Sequence, residues 1–377
     1  MHGPLTSQRG IGIGFKGVSL VSSRARLARL RTELSRRELD AMVVTAPVSI
    51  RYLCGFSGTN ALMVVKSRSA LFVTDPRYTE QSRCLPRNII RRTVLGSLLE
   101  GVARLGFLKG CHSLGIEEDS ITLERFRQMR RAFSGVSLCD TYAAIECLAS
   151  VKEKVEIAAL SKAAEISDAV FKEIVPLIRP GVTEVDIADE ITCRQRNHGA
   201  EKDAFDPIVA AGDRSAQPHA RATACKIRRG DSVVMDFGCT VQGYGSDLTR
   251  TVVVGHASAR FRAMYETVLQ AREEAVGKVR EGVEARIVDA AARKVISSRG
   301  FGRYFVHSLG HGLGLSVHER PRLSPTSADI LQDGNVLTIE PGIYIPGYCG
   351  VRIEDDIVVR RAGCTLLTKS PRELVIL

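Results

Sequence analysis

Residues 230–238 read GDSVVMDFG, and residues 334–342 read GNVLTIEPG, an offset of 104. In both, an acid stands six places after the first glycine and two before the last: Asp236 and Glu340. A second pair precedes them in the same order, RPGVTEVDIADEI from Arg179 and REGVEARIVDAAA from Arg280, at an offset of 101. Two matches in one order at nearly one offset predict a duplication. The fold that satisfies it is a pseudo-symmetric pair of helix-plus-strand halves, each bringing a carboxylate to the end of an apolar strand.

The chain before residue 150 is patterned differently. From Arg24 it reads as helix, with Leu27, Leu30 and Leu34 on one face, and DAMVVTA, ALMVVKS and ALFVT follow as strands. YLCGFSGTNA reads as a glycine-rich turn among them. Strands and helices alternate to about Ile145, as in an α/β domain. A long helix then stops at Pro180-Gly181, and Thr183 with Asp186 opens the next as a capping-box variant. The expected organisation is a flexible extension over residues 1–22, an α/β domain over 23–150 and a duplicated α+β domain over 151–377. The extension contains GIGFKG, a formal G-x-G-x-x-G at Gly12, Gly14 and Gly17. No strand precedes it and no βαβ unit follows, so it does not read as a dinucleotide site.

Composition narrows the function classes. No apolar run approaches membrane-spanning length, which predicts a soluble, cytoplasmic protein with no membrane partner. The ten cysteines are scattered singly with no C-x-x-C pair, as expected of reduced, mostly buried thiols. The formal charge of +11 is concentrated in residues 1–150, which hold 22 Lys and Arg against 12 Asp and Glu. These arginines are spread out and no nucleic-acid motif accompanies them, so a solvated basic surface is expected and no specific nucleic acid.

The acids need a partner. Asp236 closes SVVMDFG, and Asp247 opens SDLTRTVVV beyond a turn over residues 242–245. A hairpin there sets them on adjacent strands, where opposed Cβ atoms lie about 5 Å apart and like charges repel. A shared proton, an arginine or a metal must neutralise them. The second half supplies Glu340 in VLTIEPGIYI and Glu354 in GVRIEDDIVV. Ahead of these lies HSLGHGLGLSVHE, with His307, His311 and His318. Four carboxylates with an imidazole form an oxygen-rich set suited to Mn²⁺, Co²⁺ or Zn²⁺, with charge enough for two divalent ions. Two-ion sites of this kind are typical of hydrolases that activate water.

With VMDFG, SDLTRT, GHGLGLSVHE, EPGIYIPG and GVRIEDD in this order, the sequence resembles the Xaa-Pro peptidase family of aminopeptidase P and prolidase. YLCGFSGTNA and DPRYTEQ resemble that family's creatinase-type N-terminal domain. The resemblance implies an α/β N-terminal domain followed by an α+β pseudo-two-fold "pita-bread" catalytic domain. It implies two divalent metal ions, Mn²⁺ first and Co²⁺ or Zn²⁺ as alternatives, held by Asp236, Asp247, His311, Glu340 and Glu354. In that scheme Asp247 and Glu354 bridge both ions, Asp236 chelates one, and His311 and Glu340 hold the other. His318 matches the histidine that supports the developing oxyanion, and His219 in AQPHA the one that closes over the substrate. Glu340 also matches the proton acceptor for a water activated between the ions. Arg322 matches an arginine that meets a substrate carboxylate, and Arg352 is a second substrate-side candidate that could instead pair with the acids around it. His307 and Glu319 are expected to support their neighbours without chemistry of their own.

The resemblance implies hydrolysis of the Xaa-Pro bond at the N-terminus of proline-containing peptides, by a homodimer. The GFSGTNA and RYTEQ segments favour aminopeptidase P, with prolidase as the alternative. Methionine aminopeptidase is disfavoured by the additional N-terminal domain, and metal-free creatinase by the complete acid set. A non-catalytic peptide-binding protein on the same fold is disfavoured for the same reason.

Overall fold

A computed structural model describes residues 20–377. The extension and its GIGFKG motif therefore fall almost wholly outside the described residues. The first helix, Leu20–Arg36, begins before residue 22, so that expected boundary moves toward the N-terminus. The chain divides into a first unit ending at Ile145 and a second over residues 146–377, a little earlier than residue 150, because the helix Ala144–Ser150 straddles the junction.

The first unit is a six-stranded mixed sheet. Its order is Ile90–Thr93, Ala70–Thr74, Ala61–Lys66, Ala41–Val44, Ser113–Ile116 and Ser137–Asp140. The strands Ala70–Thr74, Ala61–Lys66 and Ala41–Val44 pair antiparallel, the first two through a short turn and the last two across the helix Pro47–Cys54, and the outer pairings are parallel, with helices as crossovers. Leu62, Val64, Leu71, Val73, Leu114 and Ile116 form its core with Leu98, Val102 and Met129 from the helices. Leu27, Leu30 and Leu34 are buried on one face of the first helix, as their spacing requires.

GFSGTNA and RYTEQ lie in this unit, and their residues engage one another. Phe56 sits edge-on to Phe72 and Tyr78, Asn60 donates to Asp75 at 2.6 Å, and Gln81 donates to Ser57 at 3.0 Å. These segments are explained by local packing, which carries no information about substrate length.

The second unit repeats itself in its hydrogen bonds. In the first half Gly181 N donates to Ile227 O, Ile227 N to Val182 O, and Glu184 N to Cys225 O. In the second half Gly282 N donates to Leu331 O, Leu331 N to Val283 O, and Ala285 N to Asp329 O. Each half then has a helix, Glu184–Asn197 or Ala285–Ser298, and a strand pair. The pairs are Ser232–Phe237 with Leu248–Val253, and Val336–Ile339 with Asp355–Arg360, both antiparallel. The apolar core separates along the same division, into one cluster from residues 163–254 and another from 253–359. The halves differ in detail. Thr183 closes a full capping box with Asp186, whereas Glu284 makes no side-chain cap.

Among the described residues all ten cysteines are free thiols, but only four are buried, so the expectation of mostly buried thiols is corrected. None of the described helices is long and apolar enough to cross a membrane.

Candidate active site

Both strand pairs of the second unit end in acids. Asp236 lies in the fully buried strand Ser232–Phe237, opposite Thr249. Asp247 stands just before Leu248–Val253, so the two acids are diagonal neighbours on one face rather than directly opposed. Glu340 follows Val336–Ile339, and Glu354 precedes Asp355–Arg360, which continues that ladder so that these two acids face each other.

His311 is the middle residue of the short strand Gly310–Gly312. The flanking glycines are required by the neighbouring strands. A Cβ at Gly310 would collide with the Thr338 carbonyl, and one at Gly312 with the Arg320 carbonyl. His311 Nδ1 lies 3.1 Å from Gly312 O, which can only accept, so Nδ1 carries a proton and Nε2 points into the acid cluster. Nε2 is 3.3 Å from Glu340 Oε1 and 3.8 Å from Asp247 Oδ2. Ligand atoms of Asp247, His311 and Glu354 all lie within 4.8 Å of one another.

The electrostatics of this group are unresolved by protein atoms alone. Burial and then the charges of Glu354 and Asp236 push the Asp247 carboxyl well above its ordinary range. Burial and then Glu340 and Asp236 do the same to Glu354. Burial would raise Glu340 too, but the bond to His311 together with the charges of His311, His307 and Arg352 outweighs it and brings it down to about 2. Asp236 Oδ1 and Asp247 Oδ1 are buried without a hydrogen-bond partner among the described residues. Buried like charges with idle oxygens around an imidazole nitrogen fit divalent cations, which would satisfy both the charge and the lone pairs.

A surrounding layer fixes these groups. Thr249 Oγ1 donates to Glu354 at 2.6 Å, and Thr338 Oγ1 to Glu340 at 3.1 Å. Asp356 accepts the Asp247 N–H at 2.9 Å. Arg250, 1% exposed, donates to the Glu354 and Thr249 carbonyls and pairs with Asp355. Arg272 and Arg372 complete the charges around Asp355. Burial raises that carboxyl, but the arginines outweigh it and hold it low.

Arg352 is buried, not open to a substrate. It pairs with Asp236 Oδ2 and donates to Thr249, Pro218 O and the Tyr344 hydroxyl. Tyr344 Oη in turn meets His307 Nε2 at 2.9 Å. His307 Nδ1 is occupied by Ser308 O, so Tyr344 donates and His307 is a supporting residue of this chain. The sequence offered no periodicity or spacing that singled out Tyr344, Arg250 or Asp356.

His219 is exposed one residue beyond Pro218, whose carbonyl Arg352 holds. His318 is exposed, and its ring stands edge-on to His311 with centroids 4.3 Å apart. Its pKa lies below the ordinary imidazole value, through partial desolvation and then the neighbouring His311. Arg322 is exposed on the strand Glu319–Leu323.

Residues 158–361 match the profile of metallopeptidase family M24, and residues 26–148 that of the creatinase/prolidase N-terminal domain. The Xaa-Pro dipeptidase of Pyrococcus furiosus is 36% identical over 356 residues, covering 93% of this chain and 100% of that protein. The solved Xaa-Pro dipeptidase from Bacillus anthracis is 39% identical, with a TM-score of 0.91 over 94% of this chain and 100% of that one. The solved X-Pro aminopeptidase from Thermotoga maritima is 36% identical, with a TM-score of 0.84 over 91% of this chain and 99% of that one.

Proposed function

The chain belongs to metallopeptidase family M24, and from that premise we propose that it is an Xaa-Pro dipeptidase. The observation that carries the hydrolytic reading is the converging group Asp247, His311 and Glu354, with Asp236 and Glu340 at its sides. The preference for dipeptides replaces the expectation of an aminopeptidase P. It is supported by the Xaa-Pro dipeptidases among the relatives.

Asp236, Asp247, His311, Glu340 and Glu354 would hold the divalent ions. Bound there, such ions supply Lewis acidity that makes water a nucleophile near neutral pH and polarises the scissile carbonyl. The residues do the rest. Glu340 takes a proton from the attacking water and returns it to the departing proline nitrogen. His318 donates to the carbonyl oxygen as negative charge develops on it, and His219 approaches from the loop that Arg352 fixes. Arg322, with an exposed guanidinium, meets the free carboxylate that a dipeptide carries at its proline end. Proline has no amide N–H and a fixed φ, so a site that recognises neither feature of an ordinary peptide bond is needed.

The test is metal-stripped protein supplied with Mn²⁺, Co²⁺ or Zn²⁺ and offered Ala-Pro beside Ala-Pro-Ala-Ala. Release of alanine from Ala-Pro alone is the expected result. Cleavage of both would restore the aminopeptidase reading. Binding of metal with cleavage of neither would leave a peptide-binding protein on this fold.

A further inference from the structure

The turn that carries His318 is built around a buried charge. Residues 313–318 join the paired strands Gly310–Gly312 and Glu319–Leu323. The interior of the turn is filled by the Glu319 carboxylate, and Glu319 is 8% exposed. One oxygen accepts the Ser316 N–H at 2.8 Å, and the other accepts from Lys152 Nζ at 2.6 Å. The carboxylate lies so close to Gly314 that a Cβ at that position would collide with it. On the far side of His318, Arg320 N donates to Glu146 at 3.0 Å.

The Lys152 side chain is 1% exposed, and its ammonium also donates to Ala149 O at 2.7 Å. Its backbone is fixed as well. Lys152 N donates to Gly334 O at 2.9 Å, Val151 bridges to Asn335, and Asn335 Nδ2 donates to Ser150 O at 3.0 Å. Gly334 and Asn335 precede the strand Val336–Ile339, which leads into Glu340. A buried ammonium thus ties the His318 turn to the base of the strand that presents Glu340. A buried ion pair contributes little net stability compared with an apolar pair of the same shape, so stability alone does not account for this one.

We propose that the Lys152–Glu319 pair is a positioning device for His318, holding its turn so that the ring stands edge-on to His311. Neither residue touches substrate; both act through the shape of residues 313–318. The kinetic part of this inference rests on reading His318 as the donor to the scissile carbonyl.

The test uses the metal-loaded full chain and two readouts. The first is the ¹H–¹⁵N spectrum of the histidine rings, with His318 identified by the signals lost in His318→Gln. Glu319→Gln and Lys152→Met are expected to shift or broaden those signals. Should either single variant fail to fold, Lys152→Met/Glu319→Leu removes both charges and is expected to do the same. Unmoved His318 signals in folded variants overturn the proposal, whether or not any dipeptide is cleaved. The second readout is turnover of Ala-Pro. Each variant is expected to lower kcat about 10- to 100-fold with KM and bound metal unchanged, as for a misplaced catalytic group. In a His318→Gln background Glu319→Gln should cause no further loss; an equal loss in both backgrounds means a general effect on the fold and overturns the proposal. If the wild type cleaves no Xaa-Pro dipeptide, the proposed function fails, and the ring signals alone decide the role of the pair.

Discussion

The two units bury charge for different reasons. In the first, the four inner strands of the sheet are largely apolar, and the two carboxylates buried among the described residues are answered by protein groups. Glu117 accepts the Thr45 and Ala46 N–H groups, and Asp75 is bound by Asn60 and Arg77. In the second, Asp236, Asp247, Glu354, Asp355 and Asp356 lie buried within a short stretch of two strand pairs, with Arg250, Arg272 and Arg352 among them. Only part of that charge is answered by protein: Asp355 has three arginines, while Asp236 and Asp247 keep idle oxygens. Charge that local partners fully satisfy belongs to the fold. Charge left incomplete marks where a ligand completes the structure.

The largest effects should therefore fall on one unit and spare the other. Asp247→Asn is expected to lower kcat/KM on Ala-Pro by about 10³-fold or more, because it removes a carboxylate from the metal group. Metal analysis should show the loss, and hydrogen exchange in the strands of the first unit should be unchanged. Next in size is metal removal. At a metal concentration of about 1,000 times Kd, binding stabilises the folded state by about 4 kcal/mol, and chelation withdraws it. Exchange protection should then fall in Ser232–Phe237 and Val336–Ile339 and hold in Ala61–Lys66. Equal losses in both units would dissolve the distinction drawn between them.

The reciprocal experiment is a cavity in the first unit. Leu62 is fully buried in the central strand Ala61–Lys66, so Leu62→Ala should cost about 2–5 kcal/mol in denaturant unfolding. Per mole of folded protein, metal content and kcat should be retained. A loss of bound metal in folded Leu62→Ala would show that the first unit supports the metal group.

The same contrast explains what the sequence made legible. Strands such as Ala41–Val44 and Ala61–Lys66 are continuous apolar runs, and the duplication reappears as matched hydrogen bonds at residues 181–184 and 282–285. Acids at apolar strand ends stood out because little else explains them. Tyr344, Arg250 and Lys152 did not, because a tyrosine, arginine or lysine near a strand is ordinary until its partner is known. Those partners lie far along the chain: Arg250 reaches Glu354 and Asp355, and Lys152 reaches Glu319. Pairing over such separations leaves no local pattern. GFSGTNA is the opposite case, a distinctive local pattern whose residues are engaged in local packing.

The smallest effect tests whether the first unit's buried carboxylate is satisfied as fully as its hydrogen bonds suggest. Burial raises the Glu117 pKa, while bonds from Ser49 and the Ala46 and Thr45 amides act to lower it without cancelling the burial. For an acid whose folded pKa is raised, the native state holds its proton longer than the unfolded chain does. Stability is then greatest below the unfolded value, about pH 4.3, and declines as pH rises through the folded pKa. Glu117→Gln keeps an acceptor for both amides and removes the titration. Denaturant unfolding of the first unit should lose that decline in the variant while the wild type keeps it. Asp355 supplies the opposite sign in the other unit: its arginines hold its pKa down, so the stability it contributes is present at neutral pH and lost on acidification. If Glu117→Gln leaves the pH dependence untouched, the amides satisfy the charge completely and burial of that carboxylate costs the first unit nothing.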